Sequence, residues 1–476
     1  MKRMLRGVAL AFVTSCAIAQ APPGPPTPPP PLPPLAIVGG TIVDLSGYGK
    51  RTNDLADQVI LTKDDRIVAV GKRGEIEIPK GAKIIDAKGK FIVPGYIDGF
   101  STQNNEAYAR AHLYMGVTTI FANDRDPRRG ATMPVPGGPS HETIGIATGY
   151  DLSKLTVFET NKQVRESAPR LSPEEMRWFI RAKAWDATRA LVAYYTLDKP
   201  QLEATVAAAR ERGVILIGEL GLTSYLDAAR AGVPIFVHAN RYLLDLAPAD
   251  IRAEVADDSF GPGRQRYMQH LGEIDPDSDA VKSYGRELAK HRVALMPTFA
   301  LMGPRLPNHP NPWREKVASI LDPADVMPGI DPKSGDRTPS LEAMDERARM
   351  VAGITQNVLA INATLAKQGA KFVVGSGSDA FGVLPGVGVH TEMRMLVDIG
   401  LTPREALAAA TTNWAVTVDA LDFGKLAPGA RADVLVLDAD PTHDIANARR
   451  IGTLVLRGAV VDRAALLEKP LEIPVM

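Results

Sequence analysis

Three ionisable side chains close short apolar runs in this sequence: Glu219 after Leu216-Ile217-Gly218, His238 after Ile235-Phe236-Val237, and Asp379 at the end of Lys371-Phe372-Val373-Val374-Gly375-Ser376-Gly377-Ser378. Two carboxylates and an imidazole in one pocket offer general acid–base chemistry, because their surroundings can drive their pKa values apart. A carboxylate oxygen also binds cations and favours the harder ones. A hydrolytic metal site needs about three protein ligands and an open water position. His390, in Gly388-Val389-His390-Thr391-Glu392-Met393, opens a helical run and is a further candidate. Each residue also has a plainer reading. Glu219 would pair with an arginine or cap a helix, His238 would be a hydrogen-bonded core residue, Asp379 would anchor loops, and His390 would cap its own helix. His112 reads as structural or solvent-exposed.

The elements that must carry these residues alternate between strand and helix, the pattern of an α/β fold with a parallel sheet and crossover helices. Strands are expected at residues 91–98, 117–121, 190–195, 214–219, 234–238, 293–298 and 371–379. Helices are expected at 106–115, 199–212, 224–231, 341–367, 389–399 and 403–410, with another starting at Ser172-Pro173-Glu174-Glu175. The 199–212 helix stops at Gly213, and the 172 start has an N-cap, a proline and acidic residues in the first turn. Residues 124–170 read as a long excursion over one face, and 300–338 as a lid or extended loop. Outside this region both chain ends turn to short β-branched runs. Val59-Ile60-Leu61 and Ile67-Val68-Ala69-Val70 flank Lys63-Asp64-Asp65-Arg66, a hairpin signal.

The run from Phe91 to Thr102, FIVPGYIDGFST, resembles the opening barrel strand of the amidohydrolase superfamily, most closely its imidazolonepropionase-like and prolidase-like branch. The run from Gly424 to Asp438, GKLAPGARADVLVLD, is similar to that family's G-x-I-x-P-G-x-x-A-D signature, and the resemblance extends over about residues 36–462. It implies a (β/α)8 TIM-type barrel over 91–420, accompanied by a small β-sandwich domain whose halves are 36–90 and 421–465. It also implies a divalent metal such as Zn, held in part by a His-x-His pair and a bridging lysine. Here Phe100 and Thr102 stand at the two histidine positions and Ala193 at the lysine, which removes the usual binuclear centre. Phe100 adds an apolar ring where a hydrated cation would sit. What the family register leaves is a mononuclear set of Glu219, His238 and Asp379, with Asp379 of Gly377-Ser378-Asp379 also taking a proton from the attacking water and His390 facing substrate. The implied activity is hydrolysis of a C–N bond in a small amide, cyclic amide or dipeptide. The alternative is a degenerate barrel that serves as a ligand-binding or partner subunit.

With 476 residues, 45% of them hydrophobic, the chain can bury one large core or two moderate ones. Its formal net charge of +0 offers nothing to nucleic acid or an anionic membrane, so the expected partners are a small molecule, further copies of the chain or a paralogous amidohydrolase subunit. Residues 1–19 form an export signal: Lys2, Arg3 and Arg6, an apolar run from Val8 to Val13, and Ala17-Ile18-Ala19 ahead of Gln20. A periplasmic or extracellular protein is expected. Val13-Thr14-Ser15-Cys16 resembles a lipobox, which makes a lipoprotein anchored through Cys16 the alternative. Cys16 is the only cysteine, so the mature body has no disulfide. Residues 20–35 are a proline-rich linker with polyproline II character.

Overall fold

A computed structural model of the protein describes residues 32–123, 135–150, 168–185, 188–420 and 422–469. The expected export signal, Cys16, most of the proline-rich linker and much of the expected 124–170 excursion lie outside them.

Sheet one joins both chain ends. From the N-terminal side come β1 (Leu35–Ile42), β2 (Leu55–Lys63), β3 (Arg66–Lys72), β4 (Lys83–Asp86) and β5 (Phe91–Pro94). The hairpin forms as expected: Lys63 pairs with Arg66 across a two-residue loop whose first residue, Asp64, takes φ 52°. The sheet forks at β1, which pairs with β2 on one side and with β4 and then β5 on the other.

Sheet two is the barrel. Its strands are β6 (Tyr96–Ser101), β7 (Val117–Asn123), β8 (Ser140–Ala147), β9 (Ala190–Ala193), β10 (Ile215–Gly218), β11 (Ile235–Val237), β12 (Ala294–Met296) and β13 (Lys371–Phe372), neighbours in sequence order, every pair parallel. Strand β8 falls inside the stretch expected to be an excursion. Its first half, Ser140-His141-Glu142-Thr143, is polar and only partly buried, so it lacks the apolar run that marks the other strands. Residues 300–338 form short 3-10 turns instead of a free lid. Val317, Ile320, Leu321 and Val326 are buried against Tyr108 and Ala111 of the helix Glu106–Tyr114.

The parallel sheet curls into a TIM-like barrel, because β6 also meets the chain that continues β13. Gly99 N donates to Val374 O at 3.1 Å and Gly377 N to Phe100 O at 2.7 Å. Asp98 reinforces this seam: the Ser376 amide donates to one carboxylate oxygen at 2.8 Å and the Ser376 hydroxyl to the other at 2.6 Å. The interior is apolar, with Ile97, Phe121, Val192, Ile217 and Val373 in one cluster. Trp414 plugs it, stacked on Phe121 at 5.0 Å and donating its indole N–H to Val374 O at 2.9 Å. Gly99 is required there, since a Cβ would lie 1.7 Å from the Trp414 ring.

The chain then returns to the first sheet as β14 (Val434–Leu437), β15 (Ile451–Leu456) and β16 (Ala459–Val461), with β14 antiparallel to β5. Period-two alternation assigns the faces of β14. Val434 and Val436 pack with Ile37, Ile60 and Ile92 inside the sheet's own core, while Leu435 and Leu437 join the larger core around the barrel.

Asp98 ties two strands from opposite ends of the barrel region, so Asp98→Ala, which orphans two buried donors, should lower stability by roughly 2–4 kcal/mol in denaturant unfolding. Burial pushes its carboxyl up from 3.8 to about 6, despite the Ser376 hydrogen bonds. A raised carboxyl favours the native state below the unfolded pKa and loses that advantage as pH climbs through about 6. Asp98→Asn should therefore flatten the fall in stability across that interval.

Candidate active site

At the C-terminal ends of the barrel strands lies a cavity of ≈ 340 Å³ whose walls include Phe100, Glu219, His238, Thr298 and Asp379. Strand register explains the first pairing. Gly218 lies level with Phe236, so Glu219 and His238, one and two residues further on, leave neighbouring strands at nearly the same height. His238 Nε2 stands 3.6 Å from Glu219 Oε1. The same carboxylate oxygen accepts a short hydrogen bond from the Tyr195 hydroxyl. On its other side His238 Nδ1 lies 2.8 Å from Thr298 Oγ1. The result is a polar chain running Tyr195, Glu219, His238, Thr298.

Two members of this chain have left-handed backbones, His238 at φ 65° and Thr298 at φ 51°, each just beyond the end of its strand. Such conformations cost non-glycine residues energy and concentrate at functional sites. Arg241 follows His238 by three residues and lies over the Tyr195 ring at 4.7 Å. Burial opposes the Arg241 charge, but the facing Tyr195 and Glu219 oxygens hold its pKa above the ordinary value. Burial likewise raises the Tyr195 phenol well above its usual range.

Asp379 is set apart from this chain. It is 1% exposed, and its Oδ2 accepts from Asn104 Nδ2 at 2.9 Å and from the Tyr108 hydroxyl at 3.1 Å. The structure thus brings Glu219 and His238 into contact and sets Asp379 on the wall of the same cavity. Among the described residues no group of three His, Cys, Asp or Glu side chains converges as a metal site. Phe100 sets its ring edge-on to His238 with centroids 5.2 Å apart, and Thr102 gives its hydroxyl to Ser378 O at 3.1 Å, so both replaced histidine positions are occupied by packing and seam contacts. Ala193 is fully buried at the end of β9 and has no polar group to offer.

His390, expected to face substrate, lies elsewhere. It is the fourth residue of the helix Val387–Asp398, packs edge-on to Tyr96 at 5.4 Å, and its Nε2 pairs with Met115 O at 2.8 Å. Tyr96 begins β6 and Met115 precedes β7, so His390 sits beside the N-terminal ends of the strands, opposite the mouth. It makes no side-chain capping bond either. Burial drives its pKa down to about 3, so it is neutral there. His112 is buried, with Nε2 near Ser101 Oγ at 3.2 Å. Sequence reasoning passed over Tyr195, Thr298 and Arg241. Tyr195 and Arg241 stand two and three residues beyond Ala193 and His238, close enough that extending each strand end by a turn would have included them.

A barrel with a cavity at its strand C-termini is the mould of small-molecule enzymes. The model of the amidohydrolase family matches residues 315–461. An imidazolonepropionase of Salinispora tropica is 24% identical over 403 residues, 81% of this chain and 87% of that protein. One from Rhodococcus jostii is 33% identical over 130 residues, 26% of each chain. Among solved structures, molinate hydrolase aligns with a TM-score of 0.59 at 18% identity, covering 92% of this chain and 97% of that one. A Xaa-Pro dipeptidase with bound methionine aligns with a TM-score of 0.56 at 14% identity, covering 90% and 99%. The chain is thus similar to the amidohydrolase family over residues 315–461 and to imidazolonepropionases in sequence, and it shares its fold with the dipeptidase and molinate hydrolase structures.

With no three such side chains converging among the described residues, purified protein should carry well under one Zn, Mn or Fe per chain by elemental analysis, and added Zn should not move its melting temperature. Phe100→His combined with Thr102→His restores two imidazoles and should raise bound Zn toward one per chain.

Proposed function

We propose that the protein hydrolyses a C–N bond in a small amide, cyclic amide or dipeptide bound at the barrel mouth, with Asp379 taking the proton of the attacking water. The observation that carries this reading is Asp379 itself, in the family's G-S-D position, lining the cavity and fixed by Asn104 and Tyr108. The likeness to an imidazolonepropionase and a Xaa-Pro dipeptidase supports the bond class. The finer expectation of one metal on Glu219, His238 and Asp379 finds no support in their spacing, so the chemistry is assigned to the chain's own groups. Asp379 acts as base, the Glu219–His238 pair returns a proton to the leaving nitrogen, and Arg241 supplies positive charge for the developing oxyanion.

The second reading, a degenerate barrel that binds a ligand or a partner subunit without turnover, is favoured by Phe100, Thr102 and Ala193. In either case the natural contacts are a small molecule and, as protein partners, further copies or a paralogous chain, with no nucleic acid. Strands from the two chain ends are taken as a small β-sandwich domain beside the barrel, and residues 1–19 as an export signal to the periplasm or beyond.

A panel of N-acyl amino acids, cyclic amides and dipeptides separates the two readings. Turnover that falls by about a hundredfold to ten-thousandfold in Asp379→Asn, with an unchanged circular dichroism spectrum, is the expected result. Absence of turnover across the whole panel would leave the binding role in its place.

A further inference from the structure

Two guanidinium groups of the mouth form no ion pair among the described residues. Arg264, in the first turn of the helix Pro262–Leu271, lies over the Phe260 ring at 5.5 Å, and Arg305, closing the turn Gly303–Arg305, lies over the Phe381 ring at 5.9 Å. Both are half-buried, both line the cavity, and among the described residues neither forms an ion pair. Arginines elsewhere do pair: Arg404 with Asp54 at 2.6 Å, Arg314 with Asp336 at 3.0 Å, Arg394 with Asp398 at 3.1 Å. Burial lowers the pKa of both Arg264 and Arg305; for Arg264 the Arg241 charge adds to this and the Tyr195 and Glu219 oxygens offset only part of it.

Cations drawn partly out of water and crowded together are costly unless an anion answers them. A guanidinium resting on an aromatic face is also held in one plane, with its N–H edge open to a two-oxygen acceptor. The rest of the cavity wall suits the remainder of such a ligand: Phe100, Tyr194, Leu301, Met302 and Met327 are apolar or aromatic. The volume of ≈ 340 Å³ is that of a small-molecule site.

We propose that Arg264 and Arg305 form an anion subsite that holds the carboxylate of a small amide whose apolar or aromatic body lies against Phe100 and Tyr194. The word amide rests on the function proposed above; the carboxylate subsite does not. Neither arginine belongs to the positions that the family resemblance singles out, and neither is assigned a part in the chemistry.

The test is calorimetric titration of the full chain at neutral pH with N-benzoylglycine, its neutral primary amide and inorganic phosphate, repeated with Arg264→Met and Arg305→Met. The acid should bind, the neutral amide should bind at least about tenfold more weakly, and each variant should weaken the acid by about ten- to a hundredfold while leaving the neutral amide unchanged. Melting temperatures no lower than the parent's would confirm that the variants fold. Failure of the acid to bind, equal binding of acid and neutral amide, or acid binding indifferent to both substitutions would overturn the subsite. Phosphate binding as tightly as the acid would overturn its preference for a carboxylate. Binding of the acid with no turnover across the whole panel would leave the subsite standing and remove the hydrolase, whereas equal cleavage of acid and neutral amide would do the reverse.

Discussion

The seam between the first and last barrel strands governs the geometry of everything above it. It is held by a buried carboxylate, that of Asp98, gripping the backbone and hydroxyl of Ser376, with backbone bonds at Gly99 and Gly377 on either side. Ser101 and Thr102 extend it by bonding the Ser378 hydroxyl and carbonyl at 2.7 Å and 3.1 Å. Phe100 and Asp379 enter the cavity directly from this junction. The position of the acid and the shape of the mouth thus follow from a polar contact made beneath them, in a layer where water does not compete.

Much of this was legible because strand ends and helix ends obey local rules. Asp198 and Gln201 form a capping box, and Gly213 takes φ 66°, so the helix Lys199–Arg212 begins and stops where its residues say it must. Leu216–Glu219 and Ile235–His238 carry their polar residues at the top of neighbouring strands, and the parallel register then sets Glu219 beside His238. What the sequence concealed has equally physical causes. Strand β8 has a polar first half, and polarity hides a strand. His390 follows a barrel strand, but adjacency along the chain does not say which end of the barrel a helix has returned to. Arg264 opens a short helix and Arg305 closes a 3-10 turn well separated along the chain, and nothing local predicts that they line one cavity.

Left-handed backbones at His238 and Thr298 deserve a place beside the ligand question. Conformations of this kind persist only where surrounding structure over-determines them, and here the 2.8 Å contact between the two side chains and the His238 N–H to Met296 O bond at 3.0 Å do so. The Tyr195, Glu219, His238, Thr298 chain is therefore a rigid fitting. Phe100 sets its ring edge-on against the His238 imidazole of that chain.

The pairing of β14 with β5 also has a consequence for how the polypeptide is made. The edge of β5, and the side of the barrel that Leu435 and Leu437 cover, stay exposed on a nascent chain until the strand Val434–Leu437 leaves the ribosome. Completion of the fold thus waits on contacts between distant parts of the chain, which are slow to form and leave an aggregation-prone strand edge open meanwhile. A chain cut short anywhere before that strand would keep the edge permanently open, so premature termination should yield insoluble material rather than a working fragment.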